Sequence, residues 1–372
     1  MTKDEFMRQL TAQLNGAAPE ERNRILQYYS EIIFDGMENG QSEEAVIAGL
    51  DSPQKIAAQL VEARPGADRM AVYSGGPLRE IRVSVQDQGV EVIPSLDGVL
   101  RIHYKEHKGD VYTISEEGGT AIFTHTMSPF SRFLRGIFIG LRQVTVEIPR
   151  EFGGRLTAVS TNAGLRIIGL PTLTDAVFKT SNGAVDIRDS SIGGLTARTS
   201  NSSLSLTNCG IGRAELSTSN GKLACTDIRA AEEIRTTTSN AGLNLTNVEG
   251  PVISAHTSNG TLRLVDITGE SIKAATANAS LYFSSVSASR ELTGDSSNGK
   301  IQLEGGISSP RIRLHTSNAS IRGTVKGDRA AYSLISRTTN GSSNLGLYDN
   351  PALPCRLEAT TSNAPIQIDF KA

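Results

Sequence analysis

Thr180-Ser181-Asn182-Gly183 returns unchanged as Thr218-Ser219-Asn220-Gly221 and as Thr257-Ser258-Asn259-Gly260. Looser copies of the phrase complete a set of asparagines at Asn162, Asn182, Asn201, Asn220, Asn240, Asn259, Asn278, Asn298, Asn318, Asn340 and Asn363. Their successive gaps are 20, 19, 19, 20, 19, 19, 20, 20, 22 and 23 residues. A fixed period near twenty signals a solenoid. Six residues before each asparagine stands an apolar residue, from Leu156 and Ala176 to Leu334 and Leu357. Two before it stands Ser or Thr, and one after it Gly, Ala or Ser. Three and five after it lie mostly Leu, Ile or Val, as at Leu165 and Ile167 or Leu243 and Leu245.

Offsets −6, −4 and −2 share one parity and +3 and +5 share another, with polar residues between them. That alternation is the mark of half-buried strands. The parity slips across the asparagine, so a corner lies there. Asn tolerates left-handed backbone angles, and a small neighbour lets the chain bend. Each repeat then supplies two short strands and a return, stacked in parallel on the next. Asparagines about 4.8 Å apart can hydrogen-bond as a ladder, and the Ser/Thr column can do the same. The fold class is therefore mainly β: a parallel β-helix of 19–20 residues per coil, expected to be right-handed, and about 50 Å long over eleven coils. Seven residues after the asparagine stand Asp189, Asn208, Asp227, Asn247 and Asp266. They read as a second turn ladder; the calcium alternative lacks the glycine-rich pattern of calcium-filled rolls.

Residues 1–64 differ in character. They carry 6 basic and 11 acidic side chains, a net −5, and the remainder is net +3. Neither value suggests direct nucleic-acid binding. Thr2 and Glu5 make a capping box ahead of Phe6, Leu10 and Leu14. A second helix starts near Pro19 and carries Ile25, Tyr29, Ile32 and Ile33. Ser42 caps a third, and Ser52-Pro53 opens a fourth with Ile56, Leu60 and Val61. The expected domains are an acidic helical bundle over 1–64, a linker over 65–78, a β-rich lead-in and cap over 79–150, and the β-helix over 151–372.

Lys3-x-Glu5-Phe6, Pro19-Glu20-Glu21-Arg22 with Tyr28-Tyr29, and Gly49-Leu50-Asp51-Ser52-Pro53-x-x-Ile56-Ala57 resemble the HAAS helical domain of bacterial signalling proteins. The resemblance implies association with PadR-type transcription regulators and membrane helices downstream, which this chain does not show. From about residue 79, the lead-in Val144–Pro149 and the repeated asparagine phrase resemble a bacterial adhesin-type β-helical family, also found in LiaG-type envelope-stress proteins. That family brings no catalytic residues to carry over.

Three cysteines without a CxxC pattern read as small core residues. The N-terminus has no secretory leader and no apolar run spans a membrane, so a cytoplasmic location is expected. Between Ser128 and Leu141, Phe130, Phe133, Arg135, Ile137 and Phe138 form a basic, apolar segment, read as an end cap of the solenoid or as a membrane or partner contact. No P-loop, dinucleotide fingerprint or nucleophile elbow occurs. Acids and bases do not converge in the outward columns, so no catalytic, metal or cofactor site is expected. Arg166, Lys179, Arg198 and Arg263 form a candidate basic face for an anionic glycan. The expected function is a non-catalytic scaffold whose helical domain meets a protein partner; a carbohydrate-binding or carbohydrate-active β-helix is the alternative.

Overall fold

A computed structural model describes residues 1–17, 19–62, 68–74, 76–107, 110–127 and 143–371. The chain divides into two compact units. One comprises residues 1–70, 103–113 and 124–143, and the other 71–102, 114–123 and 144–372.

In the first unit, four helices form where capping and apolar spacing put them: α1 Lys3–Gln13, α2 Pro19–Glu38, α3 Glu43–Ala48 and α4 Pro53–Glu62. The Thr2 hydroxyl accepts the Glu5 N–H, Ser42 accepts that of Ala45, and Ser52 that of Lys55. Each bond satisfies a donor that the helix start leaves unpaired. Phe6, Leu10, Ile25, Tyr29, Ile33, Val46, Ile47 and Ile56 make one buried cluster. Gly36 is the contact point of α2 with α3: a Cβ there would sit 2.6 Å from Val46 Cγ2.

The second unit is a parallel solenoid. Strand Leu173–Lys179 lies between Arg155–Ser160 and Ser191–Arg198, with Ala176 opposite both Leu156 and Leu195. After the corner, Val185 lies opposite Leu165 on one side and Leu204 on the other. From Leu204 to Ser296 the short strands of each coil merge. Leu204–Ser217, Leu223–Thr237, Leu243–Thr257, Leu262–Thr276 and Leu281–Ser296 are single bent strands. Within the stretch expected to be a linker, Asp68–Tyr73 is also a strand; Tyr73 is buried and its hydroxyl donates to the Ile122 carbonyl.

The bend inside each long strand is left-handed, and it is not at the asparagine of the repeated phrase. Asp189, Asn208, Asp227, Asn247, Asp266 and Ser285 have φ between 51° and 57°. The ladder asparagines are absent from the positive-φ set. A left-handed residue resets the in–out alternation. The next residue therefore points inward, and Leu170, Cys209, Ile228, Val248, Ile267 and Val286 form a further buried column.

The corner at the repeated phrase holds the ladder. Starting from Asn182, each asparagine Nδ2 donates to Oδ1 of the asparagine in the preceding coil, as far as Asn318. Asn162 donates to Asp87, so a carboxylate ends the series. A residue that only accepts suits that place, because an amide there would have a further donor to satisfy.

The Ser/Thr column does not make a ladder of its own. Thr180, Thr199, Thr218, Thr238, Thr257, Thr276, Ser296 and Thr316 donate at 2.8–3.2 Å to the carbonyl just past the asparagine of the preceding coil. Several also accept the N–H three residues on, as Thr257 does from Gly260. Buried backbone groups of a sharp corner need such partners, and the hydroxyls lie closer to them than to each other. The small residue after the asparagine alternates between glycine and a residue with a Cβ. A Cβ on Gly183, Gly221, Gly260 or Gly299 would lie 1.6–2.0 Å from the carbonyl oxygen of Ala163, Ser202, Ala241 or Ala279.

The last two coils are out of sequence order. Strand Arg311–Thr316 pairs with Cys355–Thr360, and Cys355–Thr360 pairs in turn with Tyr332–Arg337. The side chains agree: Asn363 donates to Asn318, and Asn340 donates to Asn363. Residues 355–371 therefore lie beneath a coil that precedes them in sequence.

Candidate functional site

The outward residues three before each asparagine align as Lys179, Arg198, Ser217, Thr237, His256, Ala275, Asp295 and His315. Those four after it align as Arg166, Asp186, Ser205, Ala224, Asn244, Arg263, Tyr282, Gln302 and Arg322. The four residues expected to share a basic face are thus split between two stacks of strands. Lys179 and Arg198 are neighbours in one, and Arg166 and Arg263 stand five coils apart in the other, roughly 24 Å.

Their partners also differ. Arg166 lies 3.5 Å from Glu91, and Arg198 lies 2.5 Å from Glu215. Arg263 instead stacks on Tyr282, with its guanidinium carbon 4.3 Å from the ring centroid, and the Lys300 ammonium is 5.1 Å from the same ring. Both contacts fall within cation–π range. Phe130, Phe133, Arg135, Ile137 and Phe138 lie outside the described residues.

Beside the left-handed corner, a cavity of about 250 Å³ is lined by Asn208, Cys209, Asp227, Arg229, Asn247 and Glu249 among others. Its acids are already engaged: Asn247 donates to Asp227 at 2.6 Å, and Arg229 is 3.8 Å from Glu249. Burial pushes the Cys209 thiol pKa up, and that of Cys225 to about 12, so neither is a nucleophile at neutral pH. Among the described residues, no three His, Cys, Asp or Glu side chains gather in a way that could hold a metal ion. Also among the described residues, no helix is long and apolar enough to cross a membrane.

Residues 78–342 match the Toastrack DUF4097 family. The chain belongs to that family. Its N-terminal residues 5–59 match the HAAS domain, as the helix motifs implied. Two solved structures from Parabacteroides distasonis ATCC 8503 are similar to this Toastrack chain. One, provisionally named an adhesin, is 12% identical with a TM-score of 0.33, covering 70% of this chain and 96% of its own. The other, provisionally named a lipid-binding protein, is 13% identical with a TM-score of 0.31, covering 82% and 98%. A third, from Clostridium sporogenes ATCC 15579 and provisionally named a cell adhesion protein, is 8% identical with a TM-score of 0.18, covering 83% and 100%. Among curated proteins, none matches. The HAAS and Toastrack families are non-enzymatic in kind.

Proposed function

We propose that this Toastrack protein is a non-catalytic interaction protein. Its helical unit binds a protein partner, and its solenoid is a stiff surface for a second contact. The HAAS match over residues 5–59 carries this reading. The chemistry of α2 supports it: Phe34 and Met37 are exposed at 56% and 43%, with exposed Glu31, Asp35 and Glu38 beside them. Apolar side chains ringed by carboxylates suit a basic amphipathic partner segment. A PadR-type regulator is the first partner to test, on the strength of the domain resemblance.

Calorimetric titration of the full chain with such a regulator tests it. Saturable binding is expected, weakened about tenfold or more by Phe34→Ala together with Asp35→Lys, because apolar anchors and rim charges act together. Binding of equal strength by that variant would remove α2 from the reading, and no binding by the parent chain would remove the regulator.

A further inference from the structure

Arg263, Tyr282, Gln302 and Arg322 occupy the same position in four successive coils. Arg263, Arg322 and Lys300 are exposed, and Lys300 lies beside the Tyr282 ring. Elsewhere on the solenoid, arginines commonly face a carboxylate: Arg155 with Asp175, Arg166 with Glu91, Arg188 with Asp186, Arg198 with Glu215, Arg213 and Arg235 with Glu233, and Arg313 with Glu358. Arg263, Lys300 and Arg322 have no carboxylate within 4.0 Å among the described residues. The nearby acid Glu304 is held by the Gln302 amide at 2.5 Å.

Three positive charges without a carboxylate partner lie on about 14 Å of strand surface and repel one another. The Tyr282 ring holds two of them in place. We propose that this strip binds a linear anionic polysaccharide running along the coil axis. Arg263, Lys300 and Arg322 pair with its acidic groups, and the Tyr282 hydroxyl and the side-chain carbonyl of Gln302 meet sugar hydroxyls between them.

Three features favour this ligand. The cations lie in a row along the axis rather than around a point, which fits an extended chain rather than a small anion. The strip contributes none of the exposed large hydrophobic residues, so it offers no side chain to insert into a bilayer. Arg263 covers a face of the Tyr282 ring, which restricts the stacking that single-stranded nucleic acids use. The proposal is independent of what the helical unit binds.

Titration of the full chain with polygalacturonate, neutral dextran, phosphatidylglycerol vesicles and single-stranded DNA, at two salt concentrations, tests it. Expected are binding to polygalacturonate that weakens with salt, none to dextran, and a loss of about tenfold or more in Arg263→Ala/Lys300→Ala/Arg322→Ala. Lys179→Ala/Arg198→Ala, in the other stack of strands, should bind like the parent. Matching melting curves establish that both variants are folded. No binding to polygalacturonate, unchanged binding by the triple variant, or tighter strip-dependent binding to vesicles or DNA would overturn the proposal.

Discussion

Two of the corners in each coil of the solenoid are built from the same small polar residues, yet the two are wired differently. At the first, amide donates to amide without a break from Asn340 through Asn363 to Asp87. At the second, Asn208 donates to Asp189 and Asn247 to Asp227, and the series stops after each pair. Asn both donates and accepts, so it extends a chain indefinitely, whereas ionised Asp only accepts. The backbone adds a second contrast. The first corner relies on a glycine that lets carbonyls approach closely, and the second relies on left-handed angles.

The largest effect is expected from the close approach. Gly260→Ala puts a Cβ 1.7 Å from the Ala241 carbonyl oxygen, where backbone must move. Denaturant unfolding should show a loss of about 3 kcal/mol or more. A loss below 1 kcal/mol would mean that the corner yields easily.

Asn240→Gly comes next. It removes the bond from Asn259 and the bond to Asn220, at a cost of about 1–2 kcal/mol. Asn247→Gly, at the other corner, removes one bond but relieves a left-handed backbone, so its stability should change by less than about 0.5 kcal/mol. Equal losses for the two glycine variants would erase the distinction between the corners. Asp227→Asn should be neutral or stabilising by up to about 1 kcal/mol, since an amide there can also donate to Asn208 and join the two pairs.

The smallest effect concerns the cysteines. At pH 8 a thiol reagent should modify half-exposed Cys355 and leave buried Cys209 and Cys225 until the protein unfolds. Burial raises the folded Cys225 pKa above its unfolded value. Its contribution to stability is therefore intact below about pH 8.5 and declines as pH rises toward 12. A Cys225→Ala variant should show a shallower loss of melting temperature over that window.

Much of this was legible in the residues, and the failures have physical causes. The asparagine ladder and the inner columns follow from spacing, because every coil repeats the same local geometry. The buried column at Cys209, Ile228 and Val248 escaped, since a left-handed residue shifts the alternation just before it. Asp87 escaped because it ends the ladder with a different residue type. The hydroxyl column makes no ladder because backbone carbonyls compete for it, and those come within reach only once the corner is built. Charge alone does not tell the basic residues apart. What separates Arg198 from Arg263 is whether a neighbouring coil supplies a carboxylate, and that depends on register.

Residues 355–371 lie beneath residues that precede them, which has a consequence for how the chain is made. Synthesis from the N-terminus delivers the layer with Asn340 before the layer that separates it from Asn318. Until residues 355–371 have been made, the edge of Arg311–Thr316 is open to Tyr332–Arg337, which carries the same repeat and belongs one level further out. Residues 355–371 then have to take the place of any such early arrival, so these coils close only after that segment has left the ribosome.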